Sequence, residues 1–437
     1  MPEQIVLVHL SDIHFHKWSG TRYDPESDIR NELLLDAQEM LARLEPPDSL
    51  LIGGDIAFSG SEQEYAAAQD WLGVFCERLH CDSGQVFVVP GNHDVDQQCI
   101  DSSFNLTSVH QRLRQVAQGQ INADICRCLQ DAAAGNELFA PIKNFNSFAQ
   151  LFGCHFTSQR PNWSKDFKLN DGSTLRIRGL NSTLTSDRLD NEAKRLAFGA
   201  FQLPPRAPGV CHVVVCHHPP SWWRDDNVEE ILNDRVQVQL FGHKHRQRLD
   251  KINNSVRLSA GAVHPDSREP DWQPRYNWIT LRVEGDSPRM LLVTVYPRTW
   301  IAPGRFVADS NSCGGAISKT ISLELDQWDT AKEPAVATPK ESVLAADVVM
   351  PASTNKSKPM DAARVLTYRF FALSHVTRID IARKLKLVRN EDEGVLDYEL
   401  FNRVFKRASA DRNLLAQLWQ EVEHAHADGK YNVNPFL

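Results

Sequence analysis

Short apolar runs alternate with amphipathic stretches through the first part of the chain. The apolar runs lie at 5–10, 49–55 and 85–94, and helical periodicity predicts helices over 27–45 and 61–79 between them. The order strand, helix, strand, helix, strand is typical of crossover units and of a largely parallel sheet. Each run ends in polar residues, so we expect three polar tips at the carboxyl ends of neighbouring strands, where open α/β sheets bind ligands.

A helical and polar segment interrupts the strand patterns at about 96–156. An insertion of this length is typical of a lid or a binding element, so we predict a helical cap beside the site. Strand patterns resume at 174–182, 210–218 and 235–245. We expect three further runs to form strands of a second sheet: 255–262, 276–284 and 289–296.

The composition changes over residues 326–360, which are rich in Ala, Pro, Ser, Thr and Lys and show no periodicity. We interpret this stretch as a flexible linker between a first domain over 1–325 and a small all-α domain over 361–437. The helical pattern of the last domain resembles that of adaptor modules in bacterial signalling and defence proteins. An acidic segment at 391–394, where a basic recognition helix would be needed, favours a protein partner over DNA.

The chain has 437 residues, 42% hydrophobic and 24% charged, which is the profile of a soluble globular protein. Its net charge of −8 argues against broad electrostatic capture of nucleic acid, although bound metal ions would add local positive charge. The nine cysteines include no CxxC pair, which is typical of reduced thiols. The run 5–10 is too short for a signal peptide, and no stretch approaches the ~18 apolar residues of a membrane span. We therefore expect a cytoplasmic protein without a membrane partner.

Five polar tips follow strand-like runs and carry most of the candidate chemistry. They are Asp12-Ile13-His14, Gly54-Asp55, Gly91-Asn92-His93-Asp94, His217-His218 and Gly242-His243-Lys244-His245. Residues two apart on a strand point to the same face. Asp12 with His14, and His243 with His245, would therefore each present two ligands in one direction. The glycines permit tight turns and a close approach of the backbone to an ion.

Carboxylate, imidazole and amide ligands together suit a divalent transition ion such as manganese, iron or zinc. Calcium would favour oxygen ligands alone, and structural zinc would favour cysteines. Because a carboxylate has two oxygens, one aspartate can bridge two ions ~3.5–4 Å apart, and such a pair clamps the attacking and leaving oxygens of phosphoryl transfer. We therefore predict two divalent metal ions and attack by a metal-bound hydroxide. Any one tip is common in proteins, whereas five in order, each after a strand, are not expected by chance.

The order Asp-x-His, Gly-Asp, Gly-Asn-His-Asp, His, Gly-His-x-His resembles that of the calcineurin-like metallophosphoesterase superfamily, and most resembles its bacterial cyclic-nucleotide phosphodiesterase branch. The resemblance covers roughly residues 5–300 and implies a four-layer α/β/β/α sandwich. It implies that the ligands of one ion are Asp12, His14, Asp55 and His245. It implies that the ligands of the second ion are Asp55, Asn92, His217 and His243.

The same resemblance gives roles to the rest of the third and fourth tips. His93 matches the family's non-ligand histidine, which is expected to stabilise or protonate the leaving oxygen. Asp94 is expected to hold that imidazole in orientation. Of the two adjacent histidines, His217 is the preferred ligand because it directly follows the strand, and His218 is the alternative.

These features predict a dinuclear metal-dependent phosphohydrolase, and specifically a phosphodiesterase that cleaves a cyclic nucleotide or a related nucleotide phosphodiester. One alternative is a nuclease that acts on DNA or RNA. Another is a non-catalytic scaffold, like the retromer subunit that keeps this fold and has lost ligands. Every ligand position is filled here, which favours an enzyme. The cap and the C-terminal domain are additions to the compact family pattern, so the choice among substrates stays open.

Two aromatic stretches lie beside the tips. The sequence Trp-Trp-Arg at 222–224 follows the fourth tip and would either stack a base and hold a phosphate or place its tryptophans in the core. His16, Trp18 and Arg22 follow the first tip in a loop that either touches substrate or is solvated. The sequence leaves both choices open.

Overall fold

The computed structural model describes two parts of the chain. The first is 3–327, apart from 22–23, 189, 191–192, 226, 266–272 and 302–303, and the second comprises 366–367, 369–370, 373, 375–389, 392, 397–426, 434 and 436. The chain divides into two compact units, Met1–Gln327 and Trp328–Leu437. From position 328 onward, the predicted linker lies outside the described residues.

The described strands all belong to the first unit, and most follow the apolar runs of the sequence. They are β1 (Ile5–Leu10), β2 (Ser49–Ile52), β3 (Val86–Val88), β4 (Asn162–Lys168), β5 (Thr174–Leu180), β6 (Val210–Cys216), β7 (Val238–Phe241), β8 (Arg248–Ile252), β9 (Ser255–Ser259), β10 (Arg275–Glu284), β11 (Arg289–Ile301), β12 (Arg305–Ala308) and β13 (Lys319–Leu325). The described helices of this unit are α1 (Ser27–Met40), α2 (Glu62–Arg78), α3 (Gln97–Ser102), α4 (Phe104–Gln115), α5 (Ile121–Gln130), α6 (Ala132–Phe139), α7 (Lys143–Gln150) and α8 (Val228–Arg235). Those of the second unit are α9 (His375–Lys384), α10 (Asp397–Ser409) and α11 (Arg412–His426).

The strands form two sheets. The first has the order β12-β11-β10-β1-β2-β3, with β13 also paired to β11, and the second has the order β4-β5-β6-β7-β9-β8. Strands β1, β2 and β3 run parallel, as do β5, β6, β7 and β9. The parallel centre of each sheet therefore brings the carboxyl ends of its strands, and the tips that follow them, to one edge.

The assignment of the later strands to sheets differs from the prediction. β9 lies in the second sheet as expected, but β10 and β11 extend the first sheet, with β10 antiparallel to β1. The predicted strands at 174–182, 210–218 and 235–245 instead supply the centre of the second sheet. Local apolar patterns predict that a segment is a strand, whereas the pairing of Ile5 with Leu281 is a contact between distant parts of the chain.

Helices cover both sheets and complete the layers. On α1 the buried residues include Leu33, Ala37 and Met40, whose spacing makes one apolar face. On the second sheet, Val228 and Leu232 of α8 share a core with residues of β6 and β7. The central strands are buried along nearly their whole length, because parallel strands are covered on both faces. The predicted four-layer α/β/β/α sandwich is confirmed.

Helices α3 to α7 occupy the segment in which a cap was predicted. The carboxyl end of α4 is fastened to the loop after β6. The Arg224 guanidinium donates to the carbonyl oxygens of Leu113 and Val116, both at 2.8 Å. Arg114 forms an ion pair with Asp187 at 2.6 Å. These contacts hold the helical segment against the loops that follow β5 and β6.

The second unit has its own helical core. Helices α9, α10 and α11 pack around buried residues that include Phe401 and Trp419. The buried Asp392 accepts hydrogen bonds from Arg407 and Arg403, at 3.0 and 3.2 Å, and these lower the pKa of its carboxyl. Across the described residues of both units, no helix combines the length and the apolar character that a membrane crossing requires.

Candidate metal centre

The polar tips of the two sheets meet at one place. In the first sheet, the loop after β1 is joined to the loop after β2, because the amide of Asp12 donates to the carbonyl of Gly54 at 3.0 Å. In the second sheet, the amide of Gly242 donates to the carbonyl of His217 at 3.1 Å. The ring of His217 links the sheets, since its Nδ1 donates to the carbonyl of Gly53 at 2.8 Å. Loops far apart in sequence thus form one hydrogen-bonded site.

One part of the site contains the residues predicted for the first ion. The donor atoms of Asp12, His14 and His245 lie within 4.8 Å of one another. Asp55 forms an equally tight group with His14 and His93. The structure therefore brings together all four predicted ligands of this ion, and it adds the ring of His93 at their edge.

The other part contains the residues predicted for the second ion. The Oδ1 atom of Asn92 lies 3.1 Å from Nε2 of His217 and 3.0 Å from Nδ1 of His243. Nε2 of His217 lies 3.2 Å from Oδ2 of Asp55. Asp55 also forms a tight group with Asp12 and His217. Asp55 therefore lies between the two sets of donors, and its role as a bridge stays a prediction.

Both adjacent histidines after β6 reach the site. His217 contacts Asp55 and Asn92, whereas Nδ1 of His218 lies 2.8 Å from Oγ of Ser182. The ring of His218 is 4.5 Å from that of His243, and the donor atoms of His217, His218 and His243 lie within 4.8 Å of one another. The contact with Asp55 favours His217 as the ligand, and His218 stays the alternative.

The backbone is strained at four of the seven predicted ligands. Asp12, His14, Asp55 and His243 have positive φ angles of 54°, 53°, 50° and 65°. This left-handed conformation is uncommon for residues other than glycine and costs about 1 kcal/mol or more per residue. Such strain persists where a site requires a particular side-chain direction. Of the nine positive φ angles at described residues other than glycine, four thus lie at the predicted ligands.

The glycines of the tips are required by close packing. A Cβ atom on Gly91 would lie 2.2 Å from Oδ1 of Asp55, and one on Gly54 would lie 2.6 Å from Nδ1 of His217. Gly242 is also crowded, since its Cβ would lie 2.9 Å from the same Nδ1 atom. These positions accept no side chain unless a candidate ligand moves.

Burial and neighbouring charges favour ionised carboxylates and, at most positions, neutral imidazoles. Burial opposes ionisation of Asp12, but its hydrogen bond with His245 and the charge of His217 lower its pKa to about 2. Burial also opposes ionisation of Asp55, and the charge of His217 nevertheless holds its pKa well below the ordinary value. Burial lowers the pKa of His14 to about 4. His217 is different, because Asp55 overcomes the effect of burial and raises its pKa to about 9. A bound cation would displace that proton.

His93 and Asp94 do not have the predicted relationship. Nδ1 of His93 lies 2.7 Å from the carbonyl oxygen of Phe58, which orients the ring. The carboxylate of Asp94 accepts hydrogen bonds from the amides of Gly91 and Ala57, at 2.9 and 3.0 Å. The expected role of Asp94 in orienting the imidazole is therefore corrected. Its carboxylate joins two backbone loops, because their amides converge on its buried position.

The hydroxyl of Tyr65 donates to the same carboxylate at 2.9 Å. Burial, followed by the negative charge of Asp55, raises the pKa of Asp94 to about 6. The Asp94 carboxyl thus stabilises the loops that carry the candidate ligands.

The Trp-Trp-Arg stretch divides between core and site. Trp223 is buried and stacks on Phe198, with ring centroids 3.9 Å apart. Trp222 lies 4.7 Å from the ring of His243, and the ammonium of Lys244 lies 5.0 Å from its centroid. The guanidinium that follows them is engaged with α4 and does not have the predicted role of holding a phosphate. Core packing is therefore correct for Trp223, whereas Trp222 lies beside a candidate ligand and base stacking by it stays a prediction.

Sequence reasoning missed Phe58. Its carbonyl orients His93, and its ring, 45% exposed, lies 5.1 Å from the His93 ring. The available signal was an aromatic residue three positions after Asp55, in the loop that follows the Gly-Asp tip. A carbonyl partner has no side-chain signature, so that contact was not readable.

The donors fit a pair of divalent transition ions. The seven predicted ligands provide two carboxylates, one amide oxygen and four imidazoles. Nδ1 of His14 and Nε2 of His218 are buried and have no hydrogen-bond partner among the described residues. Buried polar atoms without a partner are rare in proteins and call for a ligand.

Two family models match parts of the chain. A family model described as calcineurin-like phosphoesterase matches residues 5–247, and one described as GTPase-associated adaptor domain matches residues 362–424. No curated protein matches the chain.

Several solved structures are similar to the chain at low identity. Vacuolar protein sorting 29 from Cryptosporidium parvum is 12% identical, with 75% of this chain and 100% of that one covered and a TM-score of 0.32. GAP50 from Plasmodium is 11% identical, with 75% and 91% covered and a TM-score of 0.38. A putative 5′-nucleotidase from Staphylococcus aureus is 12% identical, with 76% and 56% covered and a TM-score of 0.33. The family model covers more than half of the chain, and the chain belongs to the calcineurin-like phosphoesterase family.

Proposed function

We propose that the protein is a metal-dependent phosphodiesterase that cleaves a cyclic nucleotide or a related nucleotide phosphodiester. The observation that carries this proposal is the convergence of all seven predicted ligands, four of them held in a strained backbone conformation. Strain of this kind is kept where a site fixes the directions of its side chains, which a metal-dependent catalyst requires of its ligands.

The proposed ligands divide into two sets that share Asp55. Asp12, His14 and His245 would complete one set, and Asn92, His217 and His243 would complete the other. When bound, two divalent ions supply Lewis acidity to the phosphoryl oxygens and lower the pKa of water. A net charge of −8 gives the chain no broad electrostatic attraction for an anionic substrate, and bound cations would supply local positive charge at this centre.

His93 is proposed to serve the leaving oxygen. The carbonyl of Phe58 accepts the Nδ1 hydrogen, so Nε2 is the nitrogen that exchanges a proton. A positioned imidazole that protonates a leaving oxygen contributes roughly 10²- to 10⁴-fold to a rate. The fixed ring is consistent with this role, because its orientation does not depend on a mobile side chain.

The proposal is tested with metal-free protein reconstituted with Mn²⁺, Fe²⁺ or Zn²⁺ and assayed on bis(p-nitrophenyl) phosphate. We expect hydrolysis by the reconstituted protein and at least roughly 100-fold less with Asp55→Asn, which weakens both sets of ligands. Asp166→Asn is the matched control, since Asp166 is a half-exposed carboxylate on β4 that pairs with Arg176. The proposal fails if none of the three metals supports hydrolysis, or if Asp55→Asn retains the rate of the control.

A substrate panel then separates the nucleotide classes. Reconstituted protein is offered a cyclic mononucleotide, a dinucleotide, a single strand and a duplex. Preference for either of the first two supports the proposed class, and preference for a strand or duplex would assign a nuclease instead. The Asp55→Asn variant serves in each assay as the control for contaminating enzymes.

We propose that the C-terminal unit binds a partner protein, and specifically a GTPase or a protein associated with one. Support comes from the match of residues 362–424 to a GTPase-associated adaptor domain. The test compares the full chain with a chain that lacks 361–437 in affinity capture and in turnover. Enrichment of a GTPase by the full chain alone, with equal turnover of both chains, supports the proposal. Equal capture by both chains, or loss of turnover on truncation, would contradict it.

A further inference from the structure

A row of aromatic rings leads from the surface to His93. Trp18 stacks on His16 with ring centroids 4.4 Å apart and planes at 8°. His16 lies 4.2 Å from Phe58, and Phe58 lies 5.1 Å from His93. We call Trp18, His16 and Phe58 the aromatic row. It connects two loops that both carry candidate metal ligands.

The row is held in place by backbone contacts. The amide of His16 donates to Oγ of Ser19 at 2.8 Å, and the amide of Phe58 donates to the carbonyl of Phe15 at 3.0 Å. The carbonyl of Phe58 accepts from the ring of His93. Rings on a fixed backbone lose little freedom when a ligand binds, so they are suited to recognition.

Two of the three rings of the aromatic row are nevertheless unusually exposed. Trp18 is 46% exposed and Phe58 is 45% exposed, whereas most large apolar side chains of the first unit are buried. Exposed rings beside a catalytic centre provide flat apolar surface at the place where a substrate is held. A flat aromatic group on that substrate is the chemistry that such a surface recognises.

We infer that the aromatic row binds the nucleobase of the leaving nucleoside. The inference rests on the proposed function and deepens it, since the substrate becomes a phosphodiester whose leaving group carries a base. The row ends at His93, the proposed proton donor to the leaving oxygen, so the group on the row belongs to the leaving side. Hydrolysis forms one P–O bond to water, breaks the P–O bond to that nucleoside and leaves a proton on its oxygen.

The experiment uses thymidylyl-thymidine and two analogues, each with one base replaced by hydrogen. The products show which nucleoside leaves. For wild-type protein with Mn²⁺, we expect kcat/KM to fall roughly 10- to 100-fold when the leaving base is absent, mainly through KM, because stacking of one base contributes that much. Loss of the other base is expected to have a smaller effect.

Ring variants test the assignment. The measured quantity is the ratio of kcat/KM for the dinucleotide to kcat/KM for the analogue without the leaving base. We expect this ratio to fall several-fold in Trp18→Ala and Phe58→Ala. In Trp18→Phe and Phe58→Trp we expect the ratio to return to near the wild-type value. Leu35→Ala is the control, because Leu35 is an exposed apolar residue on α1. Trp18→Ala is the cleaner variant, since Phe58 also contacts His93.

Two failures are distinguishable. If bis(p-nitrophenyl) phosphate is not cleaved with any of the three metals, the proposed function itself is overturned. If that ester is cleaved but wild-type protein shows the same kcat/KM with and without the leaving base, the row does not bind a base. The inference is equally overturned if both alanine variants keep the wild-type ratio.

Discussion

The ring of His93 is held by the backbone of Phe58, whose carbonyl oxygen lies 2.7 Å from Nδ1. A carbonyl can only accept, so this contact selects one tautomer and leaves Nε2 for substrate. Because the partner is a backbone atom, substitution of neighbouring side chains leaves it in place. The carboxylate of Asp94 acts on the ring through the backbone, because it accepts from the amide of Ala57, which adjoins Phe58.

The variant His93→Asn is expected to lower kcat on a dinucleotide by roughly 10²- to 10⁴-fold. A smaller loss is expected with bis(p-nitrophenyl) phosphate, because p-nitrophenolate is a good leaving group and needs little protonation. Steady-state kinetics on both substrates and metal analysis of the purified variant measure this. Equal losses on the two esters, or loss of bound metal, would assign His93 a different role.

Asp94→Asn is expected to act on stability. The carboxylate of Asp94 accepts from three backbone amides and from Tyr65, and an amide group would place donors against donors. We expect the free energy of unfolding to fall by about 2 kcal/mol, and by about 1 kcal/mol in Tyr65→Phe, where one of these bonds is lost. Urea denaturation of the metal-free variants measures both. Unchanged stability with strongly reduced kcat would instead restore the role in orienting His93.

Gly91→Ala is expected to disrupt the metal centre. Gly91 has a φ of −112°, which alanine adopts readily, so the effect is purely steric. The added Cβ would lie 2.2 Å from Oδ1 and 2.6 Å from the amide nitrogen of Asp55, and backbone does not yield easily. We expect lower metal content and at least roughly tenfold lower kcat with Mn²⁺. Gly119→Ala is the control, because a Cβ there meets nothing within 4 Å among the described residues. Equal metal content in the two variants would contradict the prediction.

The strands and tips of the centre were predictable because their signals are local. A buried parallel strand is apolar throughout, and the polar residues after it must lie at its carboxyl end. The pairing of β10 with β1 was not predictable in this way, since it joins segments at opposite ends of the unit. Strand identity could be predicted, whereas sheet membership depended on the path of the whole chain.

In the site, too, some features could be predicted from local sequence signals and others could not. The ligand types and their order indicated the centre, but the contact between His93 and Phe58 uses a carbonyl that every residue carries. Trp222 and Trp223 are adjacent and chemically alike, and only the direction of each side chain decides that one reaches His243 while the other packs in the core. Direction within an irregular loop has no periodic pattern to reveal it.

Asp36→Ala is expected to destabilise the first unit strongly. Asp36 of α1 is buried and accepts from Nε of Arg298 at 2.9 Å and from the hydroxyl of Tyr276. Its removal leaves a buried guanidinium without its partner, which costs about 3–5 kcal/mol. The neighbouring Leu35 is 54% exposed, so Leu35→Ala is expected to change stability by about 0.5 kcal/mol or less. Urea denaturation measures the free energy of unfolding of both variants. Similar losses in the two would show that the ion pair between Asp36 and Arg298 does not stabilise the unit.

Asp190 makes stability depend on pH in a particular interval. Burial raises the pKa of this carboxyl from 3.8 to about 6, against the hydrogen bond from Ser186. Between those values the folded protein keeps a proton that the unfolded chain has released. The contribution of Asp190 to stability is therefore fully present below about pH 4, falls as the pH rises to about 6 and is constant above that.

The side chain of the variant Asp190→Asn does not titrate. We therefore expect the difference between the wild-type and variant free energies of unfolding to change by on the order of 2 kcal/mol between pH 4 and pH 6.5. The change favours the variant at the higher pH. Urea denaturation at several pH values measures the difference, in which the other titrating groups cancel. Asp166→Asn, at a half-exposed position, is expected to follow the wild-type curve. The carbonyl of Asp190 accepts from Nε1 of Trp222 at 2.6 Å, and this backbone contact survives the substitution. A difference that stays constant across the interval would show that burial does not raise this pKa.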